Sequence, residues 1–171
     1  AGARLDITED LGAAPLHLAA LNGHLECVKA ILDGLSSKPS NLKLVLDQPD
    51  RIGMTPLMHA VSNPEMVTLL CKAGAPVNTQ DNEGRTAFFH SIGKRYEASA
   101  LVLIKFGADP VMKNKLGQIP LDMVSHEFKD MIQDAVKLRK QGGNAEVDRK
   151  WKEAVAKFNT KAKEGIAYGV K

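Results

Sequence analysis

The sequence lacks a long hydrophobic run and has only two cysteines. Its longest apolar stretch, Ala100-Leu101-Val102-Leu103-Ile104, is far short of the roughly 20 residues that a membrane-spanning helix needs, and no charged-then-apolar leader opens the chain. The expectation is an intracellular, cytoplasmic chain. Cys27 and Cys71 each lie in a helical pattern among aliphatic neighbours, which predicts two buried thiols rather than a disulfide or a metal pair. There is no Gly-rich phosphate loop, and Gly142-Gly143 reads as a hinge. No serine or cysteine nucleophile sits in a recognisable motif with a histidine and an acid. Enzyme chemistry and cofactors have no support.

What is present is ordinary for a folded chain: 44% apolar and 25% charged residues over 171 positions. The net charge of +3 is uneven. Ala1 to Val136 carry 13 basic and 16 acidic residues, whereas Lys137 to Lys171 carry 10 and 4. The chain has no initiating methionine and ends in apolar sequence at Gly165-Ile166-Ala167-Tyr168-Gly169-Val170-Lys171, which reads as a fragment of a longer protein.

A repeat organises most of the chain. Four strings align: Gly12-Ala-Ala-Pro-Leu-His17, Gly53-Met-Thr-Pro-Leu-Met58, Gly84-Arg-Thr-Ala-Phe-Phe89 and Gly117-Gln-Ile-Pro-Leu-Asp122, with glycines 41, 31 and 33 residues apart. Later aliphatic pairs recur as well, at Ile31-Leu32, Leu70-Cys71 and Leu103-Ile104. In one unit, Thr55 is a candidate N-cap and Pro56 suits the first helical position. A short helix follows, then a second, more aliphatic one, then a turn leading out to the next glycine. Such a pair cannot bury its apolar face alone, so neighbouring units must stack.

The units resemble ankyrin repeats, whose period is near 33 and whose signature is T-P-L-H-x-A. The resemblance implies an all-α solenoid of helix-turn-helix units with β-hairpin fingers. Expected repeats run over 11–49, 50–80, 81–113 and 114–142, with 1–10 a remnant of a preceding finger or repeat. Repeat one carries about eight extra residues around Ser36-Ser37-Lys38-Pro39-Ser40-Asn41, expected as a finger-side loop. Repeat two is short in its inner turn, and repeat three has Ala87-Phe88-Phe89 in place of Pro-Leu-His. In repeat four, Phe128, Met131, Ile132, Ala135 and Val136 form one helical face, as a terminal cap requires.

After the break at Gln141 to Asn144 comes a basic segment with Trp151, Val155 and Phe158 at helical intervals. Phe158-Asn159, Lys161, Lys163 and Gly165-Ile166 resemble the opening of the exchange domain of Arf guanine-nucleotide exchange factors, the cytohesin-like family. Ala162 and Gly169 depart from that pattern, where proline and leucine are usual. The resemblance implies that 143–171 is a linker and the first helix of a truncated exchange domain. The family's catalytic glutamate and Arf groove would lie beyond Lys171.

The histidines read as structural. His17 occupies the signature position, where a structural hydrogen bond is expected, and so is one for His24. His24 and Cys27 lie one turn apart without a second ligand pair, so no metal site is expected. His59 and His90 recur at one repeat position, with partial exposure expected. Protein binding is instead assigned to finger tips and inner helices: Arg51, Ile52, Met54, Asn82, Glu83, Arg85, Lys115, Leu116 and Gln118 on the fingers, with Ser62, Asn63, Lys94 and Arg95 on or beside the inner helices. Exposed Ile52, Met54 or Leu116 would make the best contact centres. The expected function is a non-catalytic binding module, the ankyrin region of a larger Arf exchange factor. The alternative is a stand-alone adaptor whose basic helix caps the array or lies on an anionic membrane surface. Nucleic acid is disfavoured by the acidic array.

Overall fold

The computed structural model describes residues 14–140 and, beyond them, Arg149, Glu153 and Ala156. The expected remnant at 1–10, and Trp151, Val155 and Phe158 of the expected tail helix, lie outside the described residues. Within 143–171, Arg149, Glu153 and Ala156 are helical, and Arg149 pairs with Glu153 at 3.8 Å.

Between residues 14 and 140 eight α-helices are formed, and seven of them lie in two layers. The inner layer starts with α1 (Pro15–Leu21), α4 (Pro56–His59) and α6 (Ala87–Gly93); the outer layer comprises α2 (Leu25–Leu35), α5 (Pro64–Lys72), α7 (Glu97–Lys105) and α8 (His126–Lys140). Two 3-10 turns complete the inner layer, Ala60–Ser62 continuing α4 and Pro120–Met123 standing where repeat four would have its inner helix. Contacts run along both layers, α1 to α4 to α6 and α5 to α7 to α8. Fully buried Leu16, Leu57, Met58, Phe88, Leu101, Leu103, Ile104, Phe128 and Ile132 form one continuous core. Each such side chain contributes about 1.5–3 kcal/mol by leaving water, and alanines at 20, 60 and 100, all 0% exposed, let neighbouring helices approach.

The inner helices are short because proline starts three of the inner-layer elements and a turn ends each soon after. Pro15, Pro56 and Pro120 stand at the first helical positions, where a missing N–H is harmless. Asn63 then opens α5, its side chain accepting from the N–H groups of Glu65 and Met66.

Four expectations need correction. The insertion in repeat one is not a loop but α3 (Pro39–Asp47): Pro39 at its first position fixes φ, and Val45 and Leu46 are buried beneath it, so a segment rich in turn formers still had an apolar side to cover. Cys27 is exposed rather than buried, being on the solvent side of α2, while Cys71 is buried and its thiol is pushed up to about 12 by desolvation. Thr55 takes the backbone position of an N-cap, but its hydroxyl caps nothing and is buried without a partner. His24 is exposed, and its ring makes no hydrogen bond with a described residue.

Candidate functional site

The fingers are built by a turn that repeats three times. An Asp or Asn lies three residues before each finger glycine, at Asp50, Asp81 and Asn114, and its side-chain oxygen accepts from two backbone N–H groups that follow. Asp50 accepts from Ile52 (3.0 Å) and Met54 (2.8 Å), Asp81 from Glu83 (3.0 Å) and Arg85 (2.8 Å), Asn114 from Leu116 (3.0 Å) and Gln118 (2.9 Å). Two main-chain bonds close each hairpin: Asp50 N donates to Met54 O, Asp81 N to Arg85 O and Asn114 N to Gln118 O, and the glycines Gly53, Gly84 and Gly117 donate back to the carbonyls of Asp50, Asp81 and Asn114. No strand is assigned among the described residues. The fingers are tight turns rather than extended ladders.

Glycine is required at the tip. Gly53 and Gly84 have φ of +81° and +77°, which side chains resist, and a Cβ on either would stand 2.6 Å from Asn82 N or 2.8 Å from Lys115 N. That closeness joins the fingers in a row. Asn82 N donates to Ile52 O at 3.1 Å, Asn82 Nδ2 to Arg51 O at 3.0 Å, and Lys115 N to Glu83 O at 2.9 Å. Gln80 Nε2 adds bonds to Gly84 O and Lys113 O.

A second connection ties each finger to its inner helix. His59 Nε2 donates to Asp50 Oδ2 at 2.9 Å and His90 Nε2 to Asp81 Oδ2 at 2.8 Å, nine residues apart in both repeats. Burial would raise the Asp81 carboxyl, but the Arg85 N–H, the His90 ring and the Arg85 guanidinium outweigh it and hold it below the usual carboxylate range. Burial lowers His90, against the pull of Asp81, so its ring is held toward the neutral form. His17 is also lowered by burial and by His59, whose ring lies edge-on at 5.7 Å. The structural bonds expected of His17 are present: its Nδ1 accepts from Ala14 N at 3.1 Å and its Nε2 donates to Met54 O at 3.2 Å, spanning repeats one and two.

The expected binding residues fall into two groups. Arg51, Ile52, Asn82, Glu83, Lys115, Leu116 and Gln118 are exposed along the finger row, with Ile52 at 52% and Leu116 at 82%. Arg85 is half-buried and paired with Asp81 and Glu83. Met54 is corrected: at 7% exposure it belongs to the core, because its N–H is drawn in by Asp50 and its side chain follows. Ser62, Lys94 and Arg95 are exposed at the far end of the inner helices, where Asn63 serves as the cap of α5. The α6 helix, about 10 Å long, separates them from the fingers. His90 is 9% exposed and belongs to the scaffold, not to the concave surface where partial exposure was expected.

Sequence reasoning missed Asp50, Asp81 and Asn114. Their signal was available as an Asp or Asn at a constant three-residue distance before glycines already aligned, joined in two repeats by a histidine nine residues on. Among the described residues no three metal-ligating side chains cluster, and no helix is long and apolar enough to cross a membrane.

Comparison with known proteins agrees with this architecture. A family model described as "Ankyrin repeats (3 copies)" matches residues 16–114. The chain is similar to protein phosphatase 1 regulatory subunit 27 of Mus musculus, 34% identical over 93 residues, covering 53% of this chain and 60% of that protein. It is 30% identical over 105 residues to ankyrin repeat domain-containing protein 63 of Homo sapiens, covering 58% of this chain and 26% of that protein. Its match to the probable 26S proteasome regulatory subunit p28 of Saccharomyces cerevisiae is 26% identical over 153 residues, covering 71% of this chain and 67% of that protein. This all-α solenoid belongs to the ankyrin-repeat family.

Proposed function

We propose that the chain is a non-catalytic protein-binding module acting in the cytoplasm and that its finger row is the principal contact surface. The observation that carries this is the row itself: three turns hydrogen-bonded to one another hold exposed Ile52 and Leu116 on either side of polar Asn82 and Glu83. Apolar side chains held on a rigid frame bind with little loss of conformational entropy.

The finer reading is that this module regulates an Arf exchange domain in the same polypeptide. It is supported by the Phe158 to Ile166 pattern, and by the names of two relatives, which are those of regulatory subunits. The test is nucleotide exchange on an Arf-type GTPase by the full-length parent, by a form lacking everything before Asn144, and by a parent with Ile52→Asp and Leu116→Asp. Faster exchange by both altered forms assigns inhibition to the fingers. No exchange by any form removes the Arf reading and leaves the stand-alone adaptor, for which the name of the mouse relative makes a phosphatase the first partner class to try.

A further inference from the structure

The finger row reaches repeat four with its pairing groups open. At each joint, the residue after the Asp or Asn of one finger donates its N–H to the carbonyl two residues past the Asp of the finger before: Asn82 N to Ile52 O, and Lys115 N to Glu83 O. Asn82 Nδ2 adds a bond to Arg51 O. In the same register the next acceptors are Leu116 O and Lys115 O, and among the described residues nothing donates to either. The tip is clear as well. A Cβ on Gly53 or Gly84 would strike the neighbouring finger, whereas one on Gly117 would meet nothing within 4 Å.

The side chains change at the same place. Repeat four has Met123 where repeats two and three have His59 and His90, and the Asn114 amide turns to Gln118 Oε1 instead. Asn78 clamps repeat three through Gly107 O and Asp109 N, and its counterpart one repeat later is Val111. Val111, Leu116 and Met123 are all more than half exposed, and they are three of the seven exposed large apolar side chains among the described residues. A repeat that ends an array in water presents a polar outer face instead.

We propose that this open edge binds an Asx-Asn-x-Gly turn of a partner protein, which seats as the next finger beyond repeat four. The partner's Asn donates its N–H to Leu116 O and its side-chain amide to Lys115 O, as Asn82 does to Ile52 O and Arg51 O. Unpaired main-chain groups at the edge of a bonded array are a template for another chain, and main-chain pairing fixes the register of what docks there. The occupant follows from the two joints inside the row, where the same edge is covered by such a turn each time. The residues after Lys140 do not carry that pattern: none of Asn144, Asp148 and Asn159 is followed by glycine three residues on. Exposed Lys113 and Lys115 favour acidic groups on the incoming turn, and Leu116 supplies an apolar contact beside the main-chain bonds. That the edge serves a partner rests on the binding-module reading above; its open acceptors do not.

The test is an NMR titration of the whole chain, following amide and carbonyl shifts, with a backbone-cyclised peptide of its own sequence from Gln80 to Thr86, the turn that already seats on the finger of repeat two. Saturable shifts at Lys115, Leu116 and Gly117 are expected. Methylating the backbone nitrogen of the peptide's Asn82 removes the donor and should weaken binding about tenfold, equivalent to about 1.4 kcal/mol. Leu116→Asp, at an exposed position that leaves the fold intact, should weaken it by a similar factor, while Leu44→Asp on α3 leaves it unchanged. Absence of shifts at Lys115 to Gly117 overturns the edge site, and shifts at Ile52 and Asn82 alone do so while leaving the finger row as a contact surface. Equal affinity of the methylated peptide overturns the main-chain pairing. A dimer in sedimentation velocity that Leu116→Asp abolishes gives the edge to a second copy of this chain and overturns the separate partner.

Discussion

The two ends of the inner helices obey different rules. At the finger end, repeats two and three use the same acid, the same histidine nine residues later and the same glycine, and their distances agree within 0.2 Å. At the turn end they share little: Asn63 caps α5 in repeat two, while repeat three leaves α7 uncapped and strains Arg95. The difference follows from what each end touches. Each finger must fit the fingers on either side, so one altered distance would propagate along the row. Every turn meets mainly solvent, which leaves it free to differ.

The largest effect is expected from breaking the finger end. Asp81→Ala removes the acceptor of three N–H groups and of the His90 ring, and leaves His90 buried and unpaired. A loss of about 3 kcal/mol is expected from the cost of unsatisfied buried groups, measured by urea unfolding, with Asp50→Ala costing less because it serves three donors rather than four. Gly84→Ala comes next, at about 2 kcal/mol from the left-handed backbone and the contact with Lys115 N.

Acid should act on the same end. His90 has a folded pKa below its unfolded value, so the unfolded chain binds more protons and stability falls as pH drops from about 6.5 through the folded value. Asp81 is depressed too, so a further loss follows below about pH 4. A urea midpoint that stays flat between pH 7 and pH 5 in wild type would contradict the role given to His90.

Smaller changes sharpen the comparison. Thr86 caps α6 through Phe89 N, so Thr86→Val should cost about 1 kcal/mol. Thr55 holds an orphan hydroxyl, so Thr55→Val should stabilise slightly, and paired melting curves of opposite sign check it. At the turn end Arg95→Gly should stabilise by about 1 kcal/mol at most, by relieving the left-handed strain.

Much of this was legible in the residues. The glycine spacing and the recurring aliphatic pairs place the helix pairs, and the terminal face of Phe128, Ile132 and Ala135 is buried as read. What could not be read depends on three-dimensional neighbours. Met54 looks like an exposed fingertip residue until Asp50 draws its N–H inward. Cys27 and Cys71 occupy similar aliphatic strings, yet only the direction of each helix face decides which is covered. Ser36 to Asn41 has the composition of a loop, and only Val45 and Leu46, a few residues on, reveal a helix. The surface group at Ile52 and Leu116 was named correctly as exposed, but the Asp and Asn residues that frame it carry no hydrophobic signature and were passed over.

The placement of α3 has a bearing on how such an array changes over generations. It leaves α2 and rejoins the chain before α4 without separating α1 from α4. An added segment of this kind sits beside the joint rather than in it. An insertion at this flank therefore adds surface to repeat one while every downstream unit keeps its partner.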